Sequence, residues 1–165
     1  MVRYESLKLP KRSVVLVDGH GLMHRAFHGC PKLTASDGTP TGAVCGTLLR
    51  LMGVIEKCPR LIFCADVDRD TFRREIYPGY KANRQETDPD LVVQFSLIEE
   101  FCHYANIPFY KKKGYEADDL IGSLAVKAAK QGYFCLILSG DKDMFQLINN
   151  QVKSLYITNS GIQPI

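Results

Sequence analysis

Short runs of β-branched and apolar residues alternate along this chain with longer segments whose apolar positions recur at helical spacing. That alternation is the signature of βαβ units, in which a parallel sheet is covered by helices on both faces. Four strands are predicted, SVVLVD at 13–18, LIFCAD at 61–66, IPFYK at 107–111 and YFCLIL at 133–138, with VKSLYI at 152–157 a candidate fifth. Between them the spacing predicts a short amphipathic stretch from 19 to 27 and a helix over about 41–57, carrying Val44, Leu48, Leu51 and Ile55 on one side. Pro59 ends that helix. A further helix opens at Pro89, repeats Leu91, Phe95, Ile98 and Phe101 on one face and ends near Asn106. The last runs from about 116 to 130 and is terminated by Gly132.

One segment breaks the pattern. Residues 67–87 are polar and basic, contain Pro78-Gly79 and offer few apolar anchors, so they read as a long excursion from the core. Loops of that length inside a compact domain are usually functional. No repeat, low-complexity tract or linker interrupts the rest, and 165 residues with 45% hydrophobic content suit a single domain spanning 1–165.

Composition narrows the setting. No run reaches the roughly 18 to 20 apolar residues a bilayer span requires, and MVRYESLKLPKRS lacks the apolar region of a signal peptide. Cys30, Cys45, Cys58, Cys64, Cys102 and Cys135 are scattered, without a C-x-x-C pair, and several sit inside apolar runs. Free thiols in a reducing compartment are expected, hence a soluble, cytoplasmic protein without a membrane partner. A net charge of +3 does not by itself imply a polyanionic partner. Its distribution says more: bases gather at Arg73, Arg74, Lys81 and Arg84, and again at Lys111, Lys112 and Lys113, the last three fitting either a solvated strand edge or a nucleic-acid contact. No residue speaks to oligomeric state.

In an open parallel sheet, ligands bind beyond the carboxyl ends of the strands, which makes a polar residue just after an apolar strand the one to question. Asp18 ends the first strand and Asp66 the second; Glu116, Asp118 and Asp119 follow the third, Asp141 and Asp143 the fourth. Any one of these could be a turn or helix-cap residue. Together, seven carboxylates at one edge would repel and raise each other's pKa unless cations sat between them. Oxygen ligands without histidine or thiolate favour Mg²⁺ or Mn²⁺, and a pair of such ions roughly 4 Å apart is a recurrent device for phosphodiester cleavage.

Other motifs compete. Asp66-Val-Asp68-Arg-Asp70 resembles the start of an EF-hand loop, but Thr71 stands where the turn needs Gly and Tyr77 where the bidentate Glu belongs. The same D-x-D could serve an aspartyl phosphotransferase, although that reading leaves the acidic group at 116–119 and the basic excursion without a role. His20, His24 and His28 recur at i, i+4 and i+8, yet two helical turns separate the first from the last, so hydrogen-bonding or phosphate-contacting histidines fit better than a zinc site.

Four blocks carry a resemblance: VDGHGLMHRAFH (17–28), FRREIYPGYKANR (72–84), GYEADDLIGSLA (114–125) and SGDKDMFQLI (139–148). In order and spacing they resemble the 5′ nuclease family, which comprises the 5′ to 3′ exonuclease domain of bacterial DNA polymerase I, phage relatives and flap endonucleases. The likeness covers nearly the whole chain, and GYEADD with SGDKD is its most specific part. It implies a three-layer, PIN-like (resolvase-like) α/β domain with a central, mostly parallel twisted sheet flanked by helices. It further implies a two-metal phosphodiesterase that cleaves 5′-ended or flapped DNA in replication and repair, RNA primers included.

By that resemblance Asp18, Asp66, Glu116, Asp118 and Asp119 hold a first Mg²⁺ (or Mn²⁺), and Asp141 and Asp143 contribute to a second. The excursion at 67–87 corresponds to the family's arch, with Lys81 and Arg84 contacting the scissile phosphate, a role suited to cations beside a developing oxyanion. Tyr80 would stack on an unpaired base, and Arg25 and Arg73 would add phosphate contacts. Family members continue past this point into further carboxylates and a helix-hairpin-helix element. The expectation is therefore an N-terminal portion of the nuclease or a short stand-alone relative, in either case with weak or incomplete activity alone. A non-catalytic nucleic-acid-binding module and an aspartyl-type phosphatase are the alternative readings.

Overall fold

The computed structural model describes residues 9–67, 70–158 and 161–164. In chain order its elements are β1 (Ser13–Asp18), α1 (Gly19–Gly29), α2 (Gly42–Ile55), β2 (Leu61–Cys64), α3 (Phe72–Ile76), α4 (Pro89–Tyr104) and β3 (Phe109–Tyr110). There follow α5 (Ala117–Lys130), β4 (Phe134–Ser139), a 3-10 helix (Lys142–Leu147), β5 (Val152–Thr158) and β6 (Gly161–Pro164). The strands form one sheet in the order β3-β2-β1-β4-β5-β6, parallel from β3 to β5, with β6 antiparallel at the edge.

The central strands β1, β2 and β4 are apolar between their ends because both faces of the sheet are buried there. Val15 and Val17 of β1 pack with Leu22 and Met23 of α1, Leu51 and Val54 of α2, and Leu91 and Ile98 of α4. The intervening Val14 and Leu16 turn to the opposite face, against Ile121 and Ala125 of α5 and Met144 of the 3-10 helix. Period-two alternation thus builds two cores from one run of valine and leucine. Where α2 meets α4, Gln94 is buried: its Oε1 accepts the N–H groups of Ala43 (2.7 Å) and Val44 (3.3 Å). These are orphan donors of the first turn of α2, whose N-cap Thr41 makes no side-chain cap.

β1 is flanked by β2 on one side and β4 on the other, with Val17 in register with both Phe63 and Leu138. Chain order reverses between β1 and β4, so the crevice beyond their carboxyl ends lies at a topological switch point.

Some boundaries differ from expectation. β2 ends at Cys64, which leaves Asp66 in the following loop, and β3 shrinks to two residues because β2 offers it register at Phe63 and Cys64 alone. Residues 72–76 form α3, too short for its periodicity to show, and β6 was not expected at all; it is a brief edge strand ending in a proline. The candidate fifth strand is β5, and α5 ends at Lys130 with Gly132 at φ 76°. Of the D-x-D motif, Asp68 lies outside the described residues.

Candidate metal and nucleic-acid site

Asp18 is the last residue of β1 and the N-cap of α1, so its bland role and its candidate role coincide. Its carboxylate is buried and held at both oxygens: Oδ1 accepts the Gly21 N–H at 2.8 Å and Oδ2 the Ser139 hydroxyl at 2.7 Å. Burial pushes its carboxyl above the usual range, opposed by those two hydrogen bonds. Gly21 is required by space, because a Cβ there would overlap Asp18 Oδ2. Asp141 caps the 3-10 helix, its Oδ1 accepting the Asp143 N–H at 2.9 Å, and its own N–H donates to Ser139 Oγ at 3.0 Å. Both Asp141 and Asp143 are exposed.

The second acidic group sits at the start of α5. Asp66 Oδ1 accepts the Ala117 N–H at 2.6 Å, and Asp119 Oδ2 accepts the Glu116 N–H at 3.0 Å, so both carboxylates satisfy first-turn donors and complement the helix dipole. Three residues of the excursion lie on this group. Lys81 Nζ meets Glu116 Oε1 at 2.8 Å and the Tyr80 hydroxyl donates to Glu116 Oε2 at 3.1 Å, while Arg73 grips Asp119 with two parallel bonds of 2.6 and 2.7 Å. Such a bidentate pair fixes orientation as well as charge. It holds the Asp119 carboxyl below its usual range and raises the Arg73 guanidinium. Burial works against charging Lys81, but its hydrogen bonds to Glu116 and Tyr80 outweigh it and the pKa rises. Lys81 takes a left-handed φ of 53°, strain of the kind that clusters at functional sites.

Among the described residues, no three histidine, cysteine, aspartate or glutamate side chains form a cluster that could hold an ion. The carboxylates share an edge without closing into a cage, and Lys81 and Arg73 supply positive charge to Glu116 and Asp119 from the protein itself. The donor set still fits a hard divalent cation. It is all oxygen, and Asp118 is pushed up to about 7, by burial first and then by the charges of Asp18, Asp141 and Asp66. A cation among those four would relieve the repulsion that raises it.

A cleft of about 1080 Å³ opens beside this group, between α1, α4 and the excursion, and is lined by His24, Phe95, Arg84, Lys81, Lys111 and Glu116 among others. His20, His24 and His28 run along one side of α1; His20 stacks on Phe95 at 4.9 Å and stands 3.8 Å from Asp66 Oδ2. His24 is lowered to about 4 by burial and by its neighbours His20, His28 and Arg84. Arg25 lies against Gly140, where a Cβ would press on its guanidinium, in a smaller cavity of about 420 Å³ shared with Asp18 and Asp141. Tyr80 lies beside the second acidic group. Its hydroxyl is spent on Glu116, and the cationic ends of Lys81 and Arg73 stand 5.0 and 6.0 Å from its ring centre. Lys111 pairs with Glu99 at 2.6 Å.

Sequence reasoning missed Ser139, the residue joining Asp18 to the Asp141 turn. The signal was there, since Ser139 is itself a polar residue closing an apolar strand.

Across residues 13–164 the chain matches the family model of the 5′-3′ exonuclease, N-terminal resolvase-like domain, and it belongs to that family. It is 41% identical over 156 residues to the thermostable DNA polymerase I of Thermus aquaticus, covering 94% of this chain and 19% of that protein. Against DNA polymerase I of Geobacillus stearothermophilus the identity is 38% over 157 residues, 94% of this chain and 18% of the relative. The chain therefore spans about a fifth of the length of these relatives. Among solved structures, a bacteriophage T5 flap endonuclease in a pseudo-enzyme-product complex with DNA and metal ions aligns with TM-score 0.65 at 22% identity, over 92% of this chain and 57% of that one. A T5 5′-exonuclease with bound zinc aligns with TM-score 0.61 at 21% identity, over 92% and 58%. At that identity the likeness establishes the resolvase-like α/β fold.

Proposed function

We propose that this domain hydrolyses DNA phosphodiester bonds at 5′ ends or flaps, with divalent cations as cofactors, in replication and repair. The observation that carries the reading is the meeting, beside Asp66 in the loop after β2, of the carboxylates at the start of α5 with Lys81, Tyr80 and Arg73 of the excursion. Acidic groups suited to cations and basic groups suited to phosphates share one small region. Family membership and the DNA polymerase I relatives support it, as do the DNA and metal ions of the T5 flap endonuclease complex.

In this reading Asp18, Asp66, Glu116, Asp118 and Asp119 hold one Mg²⁺ or Mn²⁺, and Asp141 and Asp143 contribute to a second. Bound ions would supply a nucleophilic water and charge stabilisation for the leaving oxygen. The chain's own cations do the rest. Lys81 exchanges Glu116 for the scissile phosphate, Arg84 neutralises the same group, and Arg25 and Arg73 hold flanking phosphates. Tyr80, released from Glu116, offers its ring to an unpaired base. RNA at the 5′ end is an equally suitable substrate, since none of these contacts reads a sugar.

The test is a substrate panel: 5′-flap DNA, the same flap in RNA, and p-nitrophenyl phosphate, each with Mg²⁺ or Mn²⁺. Cleavage of the flaps to 5′-phosphate products without monoester hydrolysis is expected. Flap binding without cleavage would favour the nucleic-acid-binding module, and monoester hydrolysis alone would favour the aspartyl phosphatase.

A further inference from the structure

Ser139 ends β4 one position beyond Leu138, which is in register with Val17, so it lies beside Asp18 on the neighbouring strand. Both fall on the α5 side of the sheet by alternation, Ser139 after Ile137 and Asp18 after Leu16. Ser139 is fully buried. Its hydroxyl has one proton, and that proton goes to Asp18 Oδ2 at 2.7 Å, leaving an oxygen lone pair to accept the Asp141 N–H at 3.0 Å. The chain of donors therefore runs one way, from Asp141 through Ser139 to Asp18. At its far end the Asp141 carboxylate accepts the Asp143 N–H, and at its near end Asp18 Oδ1 accepts the Gly21 N–H.

We propose that Ser139 is a positioning residue that couples the two carboxylate groups, aiming Asp18 and tying to it the turn that carries Asp141 and Asp143. The proposal rests on the metal-dependent reading above, in which these residues serve different ions. With each Asp18 oxygen already accepting one hydrogen bond, the carboxylate cannot turn freely, and its remaining lone pairs stay directed to the site. Partners of metal-binding carboxylates act in this manner generally. A merely structural serine would need the same partners for burial, so the two roles are told apart by what removing the hydroxyl does to metal affinity.

The experiment compares the wild-type chain with Ser139→Ala and Ser139→Thr. Mn²⁺ affinity and stoichiometry are measured without DNA by electron paramagnetic resonance of free Mn²⁺, and folding by thermal unfolding in EDTA. Flap cleavage is followed as a function of Mn²⁺ concentration. Ser139→Ala is expected to bind Mn²⁺ about 10-fold or more weakly, to need correspondingly more Mn²⁺ for cleavage, and to recover part of its rate at high Mn²⁺. Ser139→Thr keeps the hydroxyl and is expected to restore affinity. Unchanged Mn²⁺ affinity in folded Ser139→Ala, whether or not its melting temperature falls, would overturn the proposal. If the alanine chain does not fold, Ser139→Cys, nearly isosteric and a weaker donor, carries the same comparison. Failure of the underlying reading is distinguishable, because the wild-type chain itself would then neither bind Mn²⁺ nor cleave.

Discussion

Gly21→Ala sets two effects of known size against each other. Gly21 carries no positive φ and lies in the first turn of α1, so alanine should stabilise the helix by up to ~1 kcal/mol. Its Cβ, however, would overlap Asp18 Oδ2. The carboxylate cannot swing away cheaply, since one oxygen accepts the Gly21 N–H at 2.8 Å and the other the Ser139 hydroxyl at 2.7 Å. Hydrogen bonds to a charged group contribute ~1.5–3 kcal/mol each. Losing both, less the helical gain, predicts a net destabilisation of about 2–5 kcal/mol. For a domain of this size that lowers the melting temperature by roughly 4–20 °C. The assay is thermal unfolding by circular dichroism in EDTA at about pH 8. A melting temperature equal to or above wild type would mean that helix propensity dominates and Asp18 is not pinned as described.

Three further outcomes are expected. Lys81→Ala should lower kcat about 100-fold with a much smaller effect on DNA binding, because contact with developing charge strengthens in the transition state; weaker binding at unchanged kcat would refute that role. Gln94→Ala strands the Ala43 and Val44 N–H groups and leaves a void, and should cost about 2–4 kcal/mol in denaturant unfolding; less than ~1 kcal/mol would mean that water or Thr41 caps α2 equally well. His24 titrates near 4 in the fold against 6.5 ordinarily, so the unfolded chain takes up its proton first. His24 therefore lowers stability as pH drops from about 6.5 to about 4, while Asp118, raised to about 7, works in the opposite sense over the same range, so His24→Asn should lose less, or gain more, on acidification than wild type; an identical pH dependence in both chains would refute the His24 contribution.

The sheet was legible because both its faces are buried, which writes each central strand as an unbroken apolar run such as Val14 to Val17. α3 and β6 were not, since five and four residues are too few to show a period. Carboxylates at strand ends could be picked out from position alone, and the structure brings Asp18, Asp66 and Asp141 near enough to Asp118 to raise its carboxyl. What position could not convey is how each group spends its hydrogen bonds in the fold. Tyr80, read as a stacking ring, gives its hydroxyl to Glu116, and Arg73, read as a phosphate contact, is locked on Asp119. Those pairings join residues 36 and 46 apart in sequence, beyond the reach of any local pattern.

The central claim is that the carboxylates at this sheet edge, with divalent cations, make the domain a nuclease. It is tested most directly by incubating the purified chain with labelled 5′-flap DNA and Mn²⁺ beside an Asp141→Asn variant and an EDTA control. Cleavage by the wild-type chain that disappears with EDTA and is lost or sharply reduced in Asp141→Asn is the predicted result. Cleavage that persists in EDTA, or is undiminished in Asp141→Asn, would contradict the account, as would a wild-type chain that neither binds Mn²⁺ nor cleaves.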